Sequence, residues 1–427
     1  MWRNRLHLSK EADMIKFEKS EEKTMFKKII TVAATAGCCF LLLLLVYIIP
    51  VDMISQHALE SAETLSTEGI KPVKFGLETD TFTDAIMIGE ACYDAGIPAV
   101  QASMKSSYSR ISGKNTIESL ETYVKGEGEQ EKSYARYWHG YLVLLKPLLV
   151  FFSYREIRIL NYIVSVAAMI GIGVLMKREK MPILSIGAFY VSLFLCGIYM
   201  IPSCMQFCNM FFLLFAVLIY LLCRHERIYR DQNDVVFFCI VGMLTAFFDF
   251  LTVPLITLAI PLLFGVYLNK KSNIWKTALD SMMWGIGYGG FWALKWLLAS
   301  IVLKTNVFEN AWKSASVRSS MQLNETKITY RQVLSSNFEC LNGFLLTVIL
   351  LGCIVMFLWM VRQIGVKRTI VSRNGHMLLI GCMPLAWYFI LGNHSFEHNW
   401  YTYRELLIFI LGILFCMIGW IADEHKN

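Results

Sequence analysis

Apolar runs of roughly membrane-crossing length alternate with short polar connections along most of this chain. The first runs uncharged from Ile29 to Ile49 and stops at Pro50. A helix needs about 20 apolar residues to cross a bilayer core, so the pattern predicts a first membrane-spanning helix over 29–49. A signal peptide would have a shorter apolar core, about 7–15 residues, with a small-residue cleavage site close behind. Val51-Asp52-Met53 follows instead, so the helix is read as retained. A long polar stretch comes next, from Val51 to about Arg136, with no run able to span. Asp84 to Cys92 and Thr116 to Val124 predict short helices within it. Beyond it, spans are predicted at 157–176, 182–201, 204–223, 235–252, 254–268, 277–303, 341–361, 376–391 and 405–421.

The pattern therefore predicts an all-α polytopic membrane protein, with about ten transmembrane helices and a large outer loop between the first and second. The divisions are a tail over 1–28, the first transmembrane helix over 29–49, and an outer loop over 50–156 with short and interfacial helices. A transmembrane helix bundle over 157–421 and a tail over 422–427 complete the chain. The segment 139–152 is apolar but short, and it carries Lys146 and Pro147. Its predicted place is the outer interface, with Tyr137, Trp138 and Tyr141 at headgroup level.

Composition sharpens this reading. The chain is 56% hydrophobic and only 17% charged, whereas soluble domains carry about a quarter charged residues. So little charge cannot cover a water-facing surface of this size. The net charge of +7 collects in Lys177-Arg178-Lys180, Arg224-Arg227-Arg230, Lys270-Lys271 and Arg362-Lys367-Arg368-Arg373. With ten spans these clusters and the basic N-terminal tail share one side. The positive-inside rule makes that side cytoplasmic, with both termini there and the protein in the plasma membrane. The partners this charge implies are anionic membrane lipids, and no nucleic acid. Most of the twelve cysteines lie in spans as small apolar residues. Cys92, Cys340 and Cys204 fall at or near the outer side, where spacing leaves a disulfide open.

Candidate chemistry gathers on the outer side. The long loop holds Asp80 and Asp84. The interfacial segment holds Trp138 and His139. Asp249 ends one span among phenylalanines, and the last outer loop carries His394, His398, Tyr403 and Arg404. Each also has a plain reading: helix capping for Asp80 or Asp84, an interfacial charge for Asp249, a snorkelling anchor for Arg404. Together they suit an acceptor hydroxyl deprotonated by a carboxylate, with a leaving phosphate held by arginine and histidine. The aromatic residues suit a sugar ring. No convincing metal site is formed, although Asp80 and Asp84 with His394 or His398 could hold a divalent metal.

The arrangement resembles the C-type (GT-C) fold of integral membrane glycosyltransferases, and in particular a Gram-positive branch of that superfamily. The resemblance rests on the large outer loop after the first helix and on Thr83-Asp84-Ala85-Ile86-Met87, Tyr137-Trp138-His139-Gly140-Tyr141, Phe248-Asp249-Phe250-Leu251-Thr252 and Asn393-His394-Ser395 through Arg404. It implies transfer of a sugar from a polyprenyl-phosphate donor to a glycan or other cell-envelope acceptor. An acidic residue of the first outer loop would be the general base, Asp84 first and Asp80 second. The superfamily places that residue nearer the first helix, where this chain has Asp52. The six residues after the last span leave no expectation of the C-terminal outer domain that many relatives carry. Two other functions stay open. A transporter or flippase of a lipid-linked or polar solute would use an intramembrane charge such as Lys295. A non-catalytic envelope assembly protein would use none of these residues chemically.

Overall fold

The computed structural model describes residues 2–424, except 75, 231, 270, 342 and 366–374. Lys270 and the Lys367-Arg368-Arg373 part of the last basic cluster thus lie outside the described residues. The chain is 75% helical, against about 30–35% for soluble proteins at large. Strand occurs, among the described residues, as three two-stranded antiparallel sheets.

The order is as follows. Helix α1 (Trp2–Ile48) makes the expected tail and first span one continuous helix. A layer of short elements follows: α2 (Ser55–Glu68), β1 (Val73–Lys74), β2 (Leu77–Glu78), α3 (Thr81–Cys92), α4 (Ala99–Lys105), β3 (Ser107–Ser109), α5 (Thr116–Val124), β4 (Glu131–Ser133) and α6 (Leu142–Leu149). Longer helices come next: α7 (Tyr154–Arg178), α8 (Ile183–Leu195), α9 (Met205–Ile228), α10 (Asn233–Phe248), α11 (Ile256–Leu268) and α12 (Ile274–Leu303). A second polar insertion holds α13 (Val307–Arg318), β5 (Gln322–Leu323), β6 (Thr326–Lys327) and α14 (Tyr330–Phe338). Then come α15 (Gly343–Ile364), α16 (Gly375–Gly381) and α17 (Met383–Ile390). A third polar segment, α18 (Gly392–Glu397) and α19 (Asn399–Thr402), leads into α20 (Leu406–Glu424).

Local chemistry sets the boundaries. Asn115 and Glu118 form a reciprocal capping box that starts α5. Ser153 and Glu156 do the same for α7, which is why it begins before the apolar run does. Asp80 caps α3 through the Thr83 N–H, so that helix starts at Thr81 and not at Asp84. The apolar run 376–391 is not one helix. It breaks at Cys382, just before Pro384, which has no N–H to offer the turn behind it. The segment 139–152 becomes the eight-residue α6, about 12 Å long and too short to span. Its Leu142, Leu145, Lys146 and Leu149 are buried, and it packs on α1 and α3.

Among the described residues, six helical stretches are long and apolar enough to cross a membrane, with four shorter apolar helices beside them. The protein is thus an all-α, membrane-embedded chain. Helices α10 and α12 pack backbone to backbone. A Cβ on Gly242 would sit 2.1 Å from the Trp284 carbonyl oxygen, and one on Gly287 would sit 2.0 Å from that of Cys239. Without a hydrophobic drive between helices in lipid, such close approach supplies the dispersion contact that holds them. Cys92, Cys204 and Cys340 are free thiols, the first two buried, so the open disulfide is not formed.

Candidate functional site

The three polar insertions meet at one end of the helices. Asn393 donates to the Ser320 carbonyl at 2.8 Å. The Asn337 side chain donates to the Ser395 carbonyl at 2.8 Å. Trp296 of α12 donates to the Arg136 carbonyl at 2.9 Å, and Lys295 donates to the Ser103 carbonyl at 2.9 Å. Segments far apart in sequence are thereby fixed into one cap.

Asp84 lies at the base of that cap, fully buried. Its carboxylate accepts from the backbone N–H of Met205 at 2.9 Å and of Gln206 at 3.0 Å. The Tyr154 hydroxyl donates to it as well. These N–H groups open α9, where the helix dipole favours negative charge. Arg158 extends the network, donating to Tyr154 at 2.7 Å and to both oxygens of Glu68 at 2.7 and 2.9 Å. Burial pushes the Asp84 carboxyl up to about 6, against the Tyr154 bond, the Met205 N–H and the nearby Arg158. With its lone pairs engaged, Asp84 holds α9 in place.

Asp80 sits one turn earlier and is also buried. It accepts from the Thr83 N–H and the Thr83 hydroxyl, both at 2.9 Å. Burial raises its carboxyl, opposed by Thr83 and by the charge of Lys71. Tyr401 lies within the electrostatic reach of Arg318, Asp80, Tyr137 and Asp249 together, so Asp80 and Asp249 both lie in its neighbourhood. Asp249 accepts from the Thr252 N–H at 2.8 Å and, more weakly, from the Tyr288 hydroxyl at 3.3 Å.

Rings and cations gather around Tyr137 and Tyr401. Arg136 lies 4.5 Å from the Tyr134 ring and 5.2 Å from the Tyr137 ring, and Arg318 lies 6.0 Å from Tyr137. Lys71 stands 3.1 Å over Trp400. His398 stacks on Tyr401 with ring centres 5.3 Å apart, and His394 lies 4.8 Å from His398. Several donors here are buried with no partner: Arg136 Nε, Arg318 Nη1 and Trp400 Nε1. An unmet buried donor costs about 1–3 kcal/mol. All three belong to the cluster of rings and cations around Tyr137 and Tyr401.

The histidines play a different part. His394 Nε2 lies 2.7 Å from the Leu251 carbonyl, which can only accept, so Nε2 carries the proton. The unpartnered Nδ1 then presents a lone pair, suited to a hydroxyl more than to a phosphate. Burial holds His394 well below the usual histidine range, aided by Arg318 and His398. Burial, with Arg318 and Lys71, takes His398 down to about 4. The folded chain therefore keeps His398 neutral where an unfolded chain, near its ordinary 6.5, takes up a proton. The stability this gives is present above about pH 6.5 and is lost as pH falls toward 4. The melting temperature of His398→Gln should fall less than that of wild type between pH 7 and 4.5. Parallel curves would show that His398 does not titrate in this way.

The other expected residues sit behind the site. His139 is buried, 2.8 Å from Glu90 and 2.9 Å from the Tyr134 carbonyl. It adopts a φ of 57°, a strained conformation for a side chain with a Cβ, and braces the segment that carries Tyr134 and Tyr137. Trp138 donates to the Phe291 carbonyl at 2.8 Å and stacks on the Phe291 ring, tying the cap to α12. Tyr403 donates to the Cys196 carbonyl at 3.3 Å. Arg404 is fully buried, 4.3 Å from the Phe207 ring, with Nη1 donating to the Trp400 carbonyl. Among the described residues no three His, Cys, Asp or Glu side chains gather as a metal site would require. Arg318 and Lys71 escaped the sequence reading because nothing near them stands out from an ordinary polar loop. Arg136 lay inside a motif already of interest.

Compared with known proteins by sequence and by structure, the chain matches no family model, no curated protein and no solved structure.

Proposed function

We propose that this protein transfers a sugar from a polyprenyl-phosphate donor to a glycan acceptor at the outer face of the plasma membrane. One observation carries the reading. Unpartnered donors, aromatic rings and two buried carboxylates from four separate segments gather around Tyr137 and Tyr401. Arg136, Arg318 and the Trp400 indole would hold the donor phosphate as negative charge builds on it. Tyr134, Tyr137 and Tyr401 offer faces for the sugar ring, and the His394 lone pair accepts from one of its hydroxyls. Asp80 is the better base, because Asp84 is committed to α9. It takes the acceptor hydroxyl proton as the new glycosidic bond forms and the bond from the sugar to phosphate breaks. With ten spans, and the basic clusters and both termini in the cytoplasm, this site would lie on the outer side, where lipid-linked sugars would reach it from the bilayer.

The transporter reading is less well supported. Its intramembrane cation, Lys295, is buried and spent on the Ser103 carbonyl, where it ties α12 to the cap. The test is transfer from a radiolabelled lipid-linked sugar by the purified chain. Arg318→Gln should lower turnover by about 10²–10³-fold, the usual cost of removing one transition-state donor. Turnover within about threefold of wild type would remove Arg318 from phosphate binding. Uptake of the labelled lipid into vesicles without product would favour transport.

A further inference from the structure

Away from the outer site, a cavity of about 570 Å³ lies between α1, α9 and α10. Its volume falls within the range of a small-molecule site, about 300–1,000 Å³. Its shape is elongated. Along α10 its lining runs from Asn233 to Leu244, and along α9 from Arg227 to Leu213. At 1.5 Å per residue these are walls of about 16 and 21 Å, close to the length of a lipid chain.

The two ends differ in chemistry. Lys27, Lys28 and Arg227 gather at one end, and Lys28 donates to the Gln232 carbonyl at 3.2 Å. Toward the other end the lining is apolar, with Leu213, Val241 and Leu244. Tyr220 and Phe237 stack with centres 6.0 Å apart, flooring the middle. No acidic side chain lines the cavity among the described residues. The basic end lies near where the candidate spans Glu22–Ile48 and Met205–Ile228 begin and end, which is headgroup depth. A cationic mouth on a chain-length apolar trough matches one amphiphile with a negative head.

We propose that this groove is a binding site for one anionic phospholipid. Its phosphate sits between Lys27 and Arg227, and an acyl chain lies along the α9 and α10 walls. The bound lipid then fills the seam between the first helix and the bundle.

Native mass spectrometry of the full chain, titrated with dioleoylphosphatidylglycerol or dioleoylphosphatidylcholine, tests this. Wild type should retain one phosphatidylglycerol with about tenfold preference over phosphatidylcholine, the order expected for two well-placed cations. Lys27→Gln with Arg227→Gln should erase the preference. Ala216→Trp, at an exposed lining position, should markedly weaken phosphatidylglycerol binding by filling the trough without changing charge. Lys177→Gln with Lys271→Gln makes the same charge change outside the groove and should leave binding intact. Three results would overturn the proposal: equal retention of the two lipids by wild type, full binding by Ala216→Trp, or an equal loss in the Lys177/Lys271 variant.

Discussion

Asp80→Asn should lower sugar transfer by about 10²–10⁴-fold, the range for losing a general base, while leaving the melting temperature close to that of wild type. The two halves of this expectation come from one geometry. Asp80 opens α3, with one oxygen on the Thr83 N–H and the other on the Thr83 hydroxyl. Asparagine caps a helix about as well as aspartate. Its carbonyl oxygen can keep the Thr83 N–H, and the Thr83 hydroxyl can turn to accept from its amide. The fold therefore loses little, but the site loses its only means of taking a proton at that position. Initial rates with a radiolabelled lipid-linked sugar, read beside thermal melts in detergent, check both halves. Turnover within about threefold of wild type would move the base elsewhere, to Asp249 first, which like Asp80 lies within the electrostatic reach of Tyr401. A large fall in melting temperature would show that the Asp80 charge serves α3 more than the reaction.

Much of the fold was legible in the sequence, because a bilayer imposes one rule. Every backbone group must be satisfied within the membrane, so apolar runs become helices. The boundaries of α5 and α12 follow from local signals such as Asn115-Thr116-Ile117-Glu118 and the predominantly apolar run to Leu303. The break at Cys382 was not legible, because hydropathy counts Pro384 as one residue among many apolar ones. The site was legible in part. Asp80, Asp249, His394 and His398 drew attention because polar residues near a membrane edge need a reason to be there. What the sequence could not show was who faces whom. Arg318 and Arg136 are separated by most of the bundle in sequence, yet they flank the same Tyr137 ring. The tilt of His394 toward the Leu251 carbonyl is likewise a long-range contact. It leaves the imidazole Nδ1 as an acceptor, with the Nε2 proton spent on that carbonyl.

Asp84→Ala should be the most destabilising single change in the cap, costing about 3–5 kcal/mol. It strands the Met205 and Gln206 N–H groups and the Tyr154 hydroxyl, all buried, where no water reaches them. It also leaves Arg158 beside a tyrosine that has lost its acceptor. The cost should depend on pH in a stated direction. Burial raises the folded carboxyl from 3.8 to about 6, so between those values the folded chain holds a proton that the unfolded chain has released. That contribution is fully present below about pH 4 and is lost as pH rises through 6. The gap between wild type and Asp84→Ala should therefore be wider at pH 5 than at pH 7.5 in melts of the detergent-solubilised protein. A gap that widens with rising pH would mean that the carboxylate, not the acid, is the form α9 prefers. Asp84→Asn separates support from chemistry. Its amide oxygen can keep one of the two N–H groups, so it should fold with an intermediate loss of stability. It should retain most of its transfer activity, because α9 still brings Phe207 against Tyr401 and Arg404. If Asp84→Asn folds but is as inactive as Asp80→Asn, Asp84 belongs to the reaction itself, and the cap must open for it to act.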